Sequence, residues 1–141
     1  MSCEFAITEL EDNHLNDILS ITFSGTYREG SEGKTELGYL LGNVMLAVEV
    51  WNPFKILIDI RNVTYTWGDD MLRLFSEPEH IQKVVVLSNK NKHAIATLLD
   101  VTEDNDAIID HIFFFDNFDE AFEALKKKEI KKWDANLQQW I

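Results

Sequence analysis

Asp59 is the carboxylate in this sequence best placed for acid–base chemistry. It is the one charge inside Ile56–Ile60, an otherwise apolar run, and burial there would perturb its proton affinity. The cations that could partner it, Lys55 and Arg61, lie along the same segment. A second acidic pair, Asp69 and Asp70, follows the turn at Trp67-Gly68. Other reactive residue types form no constellation. His14, His80, His93 and His111 are scattered, with no HxH or HxxxH pair to begin a zinc site, so no metal is expected. Cys3 has no evident His partner for nucleophilic catalysis, and there is no GxSxG. The acidic stretch DVTEDNDAIID (100–110) lacks the glycine and closing glutamate of an EF-hand and reads as a solvated loop. No cofactor is expected either.

Gly33-Lys34-Thr35 mimics the end of a phosphate-binding loop. The motif GxxxxGK[ST] needs glycine at position 28, where this chain has Arg28, and Glu29 and Glu32 would face the phosphates with negative charge. Gly25–Lys34 is therefore expected to be a mobile linker, with Thr35 as the N-cap of the next helix.

The elements that would position these residues can be read from hydropathy. Glu4–Leu10 reads as a first strand, with Phe5 and Ile7 on one face, and Glu11–Asn16 as a polar turn. Ile18–Ser24 alternates, with Leu19, Ile21 and Phe23 opposite Ser20, Thr22 and Ser24, so the two strands should pair as an antiparallel hairpin. Leu37, Leu40, Leu41, Val44, Met45, Val48 and Trp51 recur at helical spacing and end at Asn52-Pro53. Gly38 and Gly42 would let a neighbour approach that helix closely. Lys55–Ile60, with Ile56, Leu57, Ile58 and Ile60, suits a central strand covered on both faces.

Asp69 and Asp70 then favour the positive end of a short helix with Met71, Leu72, Leu74 and Phe75 as its apolar face, limited by Pro78. Lys83–Leu87 is a further apolar strand, Ala94, Ile95, Leu98 and Leu99 mark a helix, and Ile112–Phe115 a last strand. Asn117, with Glu120 three residues on, opens a helix that turns Phe118, Phe122 and Leu125 inward. The expected order is β-β-α-β-α-β-α-β-α, an α/β fold with a mostly parallel central sheet and one antiparallel hairpin strand.

Length and charge narrow the function classes. The 141 residues fit one domain spanning 1–141. A net charge of −12 argues against nucleic acid or an anionic membrane as partner. The apolar run Leu37–Val48 is too short and interrupted to span a bilayer, and MSCEFAITEL has no basic signal-peptide region. A single cysteine fits a reducing, cytoplasmic compartment. Lys126, Lys127, Lys128, Lys131 and Lys132 concentrate base near the C-terminus, as a solvated helix face would. Trp133, Leu137 and Trp140 fall at helical spacing in an expected helical extension over 129–141; their stripe would be covered by the chain's own core or by a second copy in a homodimer.

The segments RNVTYTWGDDM, KVVVLSN and IFFFDNFDEAFEALKK, in that order after a hydrophobic strand, resemble the STAS domain of anti-sigma-factor antagonists. The likeness is nearest the SpoIIAA-like branch and covers about 17–128. The resemblance implies a cytoplasmic, bacterial, non-enzymatic regulator that binds a protein partner through the loop after the central strand. In that family a serine in this loop, at the helix N-terminus, is phosphorylated and switches binding off. Here Thr64, Tyr65, Thr66, Trp67, Gly68, Asp69 and Asp70 occupy the loop with no serine, and Asp69 falls nearest the phosphorylated position, where it would imitate a phosphoserine with about half the charge. A simpler role for Asp69 is helix capping. On this reading Tyr65 and Trp67 supply apolar contact, and Asp69 and Asp70 select a basic partner surface. Two other readings stand beside it. One is a small-molecule or lipid carrier of CRAL-TRIO type, with its ligand between the sheet and Leu40, Val44 and Met45. The other is an enzyme using an isolated carboxylate, Asp59 or Asp69.

Overall fold

The computed structural model describes residues 1–9, 17–99 and 113–127, together with the backbone of 133–134 and 139–140. Five strands form one sheet: β1 (Ser2–Thr8), β2 (Ile18–Tyr27), β3 (Lys55–Tyr65), β4 (Gln82–Val86) and β5 (Phe114–Phe115). They lie side by side in sequence order. β1 runs antiparallel to β2, and the remaining neighbours are parallel. Helices α1 (Lys34–Trp51), α2 (Leu72–Ser76) and α3 (Lys92–Leu98) make the crossovers, and α4 (Phe118–Lys127) follows β5. The expected order and mixed sheet are both present.

The crossover helices share one face. Leu37, Leu40, Leu41, Val44 and Ala47 of α1, Leu74 and Phe75 of α2, and Ile95 and Ala96 of α3 bury against Leu19, Ile21, Phe23, Ile56, Ile58, Ile60, Val85 and Leu87. On the other face α4 packs Ala121 and Leu125, with Phe118 and Phe122, against Ile18, Leu57, Val84 and Val86. Ile56–Ile60 thus sends side chains into both cores, as its unbroken apolarity requires. Asn117 opens α4 as expected: its Oδ1 accepts from the Glu120 N–H at 3.0 Å.

Several local expectations change. β2 runs on through Gly25 to Tyr27, and α1 begins at Lys34 with Gly33 at its N-cap, so Thr35 lies inside the helix and caps nothing. Gly38 and Gly42 meet no neighbour within 4 Å of where a Cβ would stand, so neither serves close packing here. Ile7, Met45 and Leu72 are exposed, so the apolar faces of β1, α1 and α2 bury less than their sequence patterns predict. Trp51, at the end of the α1 stripe, sits against Phe5 with ring centroids 5.3 Å apart. Asn52 closes α1 in the left-handed conformation, its N–H bonded to the Val48 carbonyl at 2.8 Å.

At the C-terminal end the backbone forms two short antiparallel strands, β6 (Trp133–Asp134) and β7 (Gln139–Trp140), with Trp133 facing Trp140. The helical spacing of Trp133, Leu137 and Trp140 is therefore coincidental at the two tryptophans. Leu137 lies outside the described residues, as do the polar turn 11–16, the acidic stretch 100–110 and three of the C-terminal lysines.

Candidate functional site

The site is built where β2 and β3 outrun their neighbours. β4 pairs with β3 only as far as Asp59 opposite Val86, whereas β2 stays beside β3 to Tyr27 opposite Tyr65. Thr64 and Tyr65 therefore belong to the strand, and the loop proper is Thr66–Gly68 followed by a turn of 3-10 helix at Asp69–Met71.

A bulge lies at the base of this extension. Thr22 faces Asp59 but Ser24 faces Asn62, so β3 carries one extra residue there. Asp59 stabilises the bulge: its Oδ1 accepts from the Arg61 backbone N–H at 3.1 Å and from Arg61 Nε at 3.0 Å, and its Oδ2 from Nη2 at 2.8 Å. Arg61 also lies over the Phe118 ring, 5.6 Å from its centroid. The hydrogen bonds to Asp59 raise the proton affinity of the guanidinium further. Asp59, 3% exposed, thus spends its lone pairs on a fixed structural partner. Lys55, the other partner considered, extends toward the last turn of α4, with Nζ 3.5 Å from the Lys126 carbonyl oxygen.

Two aromatic rings set the height of the loop. Tyr27 and Tyr65 are both buried, and Tyr65 Oη donates to the Gly68 carbonyl at 2.6 Å. Burial pushes both phenols up, Tyr27 to about 12, with Asp70 and Glu36 adding to the effect at Tyr27. Tyr65 is 2% exposed, so it supports the loop from below and offers no contact to a partner. Gly68, at φ 146°, adopts a conformation that only glycine enters readily.

The Gly-rich segment after β2 is fastened to this loop. Thr66 Oγ1 donates to Glu29 Oε1 at 2.9 Å. Arg28 Nε bonds Glu36 Oε1 at 3.0 Å. Trp67 covers Gly30, which has φ 60°; a Cβ there would stand 2.5 Å from Trp67 Cη2. The segment is thus tied down at several points, in place of the mobile linker expected. Nothing in the isolated sequence links Glu29 or Gly30 to Trp67, since the signal lies in the pairing of β2 with β3.

Trp67 is 57% exposed, and Asp69 is exposed beside it. Asp69 makes no side-chain cap to the 3-10 turn or to α2, so the capping role proposed for it is absent. Asp70 is half-buried and lines a groove of about 320 Å³ with Lys34, Leu37, Gly38, Leu41 and Arg73. A polar clasp holds the opposite side of the strand extension. Asn91, fully buried, donates through Nδ2 to the Ile60 and Val63 carbonyls at 2.6 and 2.9 Å. Ser88 Oγ donates to the Arg61 carbonyl at 2.6 Å, and the Tyr65 N–H to the Lys90 carbonyl at 3.2 Å. These residues read in sequence as a plain polar turn.

Among the described residues no three His, Cys, Asp or Glu side chains gather as a metal site. No described helix is long and apolar enough to cross a membrane. Burial raises the Cys3 thiol above its ordinary value, with Glu4 adding to the effect.

No family model and no curated protein matches the sequence. The crystal structure of an anti-sigma factor antagonist from Mycobacterium paratuberculosis matches the fold with a TM-score of 0.53, over 89% of this chain and 96% of that one, at 13% identity. The chain therefore has the α/β fold of the STAS domain, and at this identity the likeness speaks for the fold alone.

Proposed function

We propose that this chain is a non-enzymatic regulatory module that binds a protein partner through the tip formed by Thr66, Trp67 and Asp69, together with Asp70 and the exposed Leu72 of α2. The observation that carries the reading is the exposed indole of Trp67, held over Gly30 on a base of buried tyrosines. A large aromatic side chain fixed in place and left facing solvent is the usual anchor of a binding hot spot. The fold shared with an anti-sigma factor antagonist supports a regulatory role of the same general kind. Asp69 and Asp70 select a basic partner surface, and with no serine between Thr64 and Asp70 the binding is not controlled by serine phosphorylation. A cytoplasmic setting fits the single cysteine.

The test is a photo-crosslinking amino acid at position 72, which leaves Trp67 intact, with position 46 on the exposed outer side of α1 as control. Position 72 should capture a specific partner, and Asp69→Asn/Asp70→Asn should reduce capture about tenfold or more while the thermal melt stays unchanged. Equal capture by the double variant removes the loop as the interface. Native mass spectrometry addresses the carrier reading. Leu40 and Val44 are fully buried in the core and Met45 points outward, so side chains fill the space a lipid would need. An adduct of lipid mass lost on denaturation would restore the carrier. A dimer lost with Trp133→Ala/Trp140→Ala would assign those tryptophans to a homodimer contact.

A further inference from the structure

β3 and β4 part after Asp59 and Val86, and the space that opens at their carboxyl ends is a hollow of about 510 Å³ lined by Arg61, Asn62, Ser88, Asn89 and Lys90. It is a shallow, open depression at the carboxyl ends of two parallel strands. Its chemistry is opposite to that of the chain. The protein has 25 acidic residues against 13 basic ones, yet the lining holds two cations, two amides and a hydroxyl, with no carboxylate.

Arg61 and the backbone of the rim are held in place. The bonds from Nε and Nη2 to Asp59 fix the guanidinium plane of Arg61, and Phe118 braces it, leaving further N–H groups of the fork for a ligand. The rim from Ser88 to Lys90 is set by Ser88 Oγ on the Arg61 carbonyl and by the Lys90 N–H on Ser88 Oγ at 3.2 Å. Asp59 offsets the charge of Arg61, and Asp119 of α4 acts on it as well, so Lys90 is the cation of the lining that carries net charge to a ligand.

We propose that this hollow binds an oxyanion group, phosphate or carboxylate, with Lys90 supplying the charge and Arg61, Asn62 and Asn89 the directional N–H donors. The proposal is independent of partner binding at Trp67.

The experiment is a titration of the ¹⁵N-labelled protein, followed by amide shifts at constant ionic strength. Inorganic phosphate is one ligand and an acetylated tri-glutamate peptide the other. Saturable shifts should centre on Asn62, Ser88, Asn89 and Lys90, and Lys90→Gln, an exposed position, should weaken them about tenfold through loss of a charge-assisted bond. Asn89→Leu should weaken them as well. Saturation by phosphate assigns the site to a free anion, and response to the peptide alone assigns it to a carboxylate of a bound protein. Either supports the proposal. No saturation by either ligand, or equal affinity in Lys90→Gln, overturns it.

Discussion

Tyr27 and Tyr65 stand at facing positions of β2 and β3 and meet edge to face, with ring centroids 5.1 Å apart and planes at 89°. Edge-to-face packing of buried rings adds about 0.5–1.5 kcal/mol beyond the area they bury. The pair also couples two segments far apart in sequence. Tyr27 leads into the Gly-rich turn, and Tyr65 leads into the Trp67 loop, so the platform beneath the proposed interface is a contact between strands.

Tyr65→Phe should keep the ring contact and lose the bond to the Gly68 carbonyl. The expected cost is about 1–2 kcal/mol, the range for leaving one polar group unpaired. Urea unfolding should show a lower midpoint with an unchanged slope. Partner capture at position 72 should fall as well, because the height of the loop that carries Trp67 depends on that bond.

Asp59 and Arg61 should respond unequally to substitution. Arg61→Ala leaves a carboxylate at 3% exposure without its cation and should cost about 3 kcal/mol. Asp59→Asn keeps an oxygen for the Arg61 backbone N–H and leaves a guanidinium that is 42% exposed and open to water, so its cost should be about 1 kcal/mol. Replacing both residues with leucine should recover part of the loss. Chemical denaturation of the four proteins checks the order; a costlier Asp59→Asn would mean that the bulge depends on the carboxylate charge itself.

Lys83 gives the fold a dependence on alkaline pH. Its side chain is buried, Nζ donates to the Pro78 carbonyl at 2.7 Å, and burial pushes the ammonium down to about 8 from 10.5, against the opposing pull of Glu77 and Glu79. Below pH 8 both folded and unfolded chains hold the proton. Between 8 and 10.5 the unfolded chain holds it and the folded one has released it, so stability rises with pH through that window. The slope is at most about 1.4 kcal/mol per pH unit. Lys83→Met should flatten it. Above pH 10 the raised phenols of Tyr27 and Tyr65 act the other way, because the unfolded chain loses those protons first. Urea midpoints measured from pH 7 to about 12 separate the rise due to Lys83 from the fall due to the phenols.

The frame of the fold was legible because its signals are local. The alternation of Leu19, Ile21 and Phe23, the run Ile56–Ile60, the α1 stripe and the Asn117 cap each announce an element within a few residues. The site was legible in place and less so in detail. Asn62–Tyr65 is polar enough to read as loop, and it is strand because Ser24–Tyr27 lies alongside. Asp59 looks reactive in one dimension, whereas the bulge that gives Arg61 to it exists only once β2 and β3 are paired. Gly30 beneath Trp67, and Asn91 beneath the Ile60 and Val63 carbonyls, are likewise contacts across long sequence separation, which no periodicity encodes.

The sequence order of the five strands is also their order in space. A growing chain can therefore extend the sheet by accretion at one edge. The β1–β2 hairpin is available first, and each crossover delivers the next strand to the edge that the previous one has just exposed. The connections that bring in β3 and β4 carry one α-helix each, α1 and α2, which keeps the entropic cost of those additions modest. No strand has to be inserted between two that are already paired.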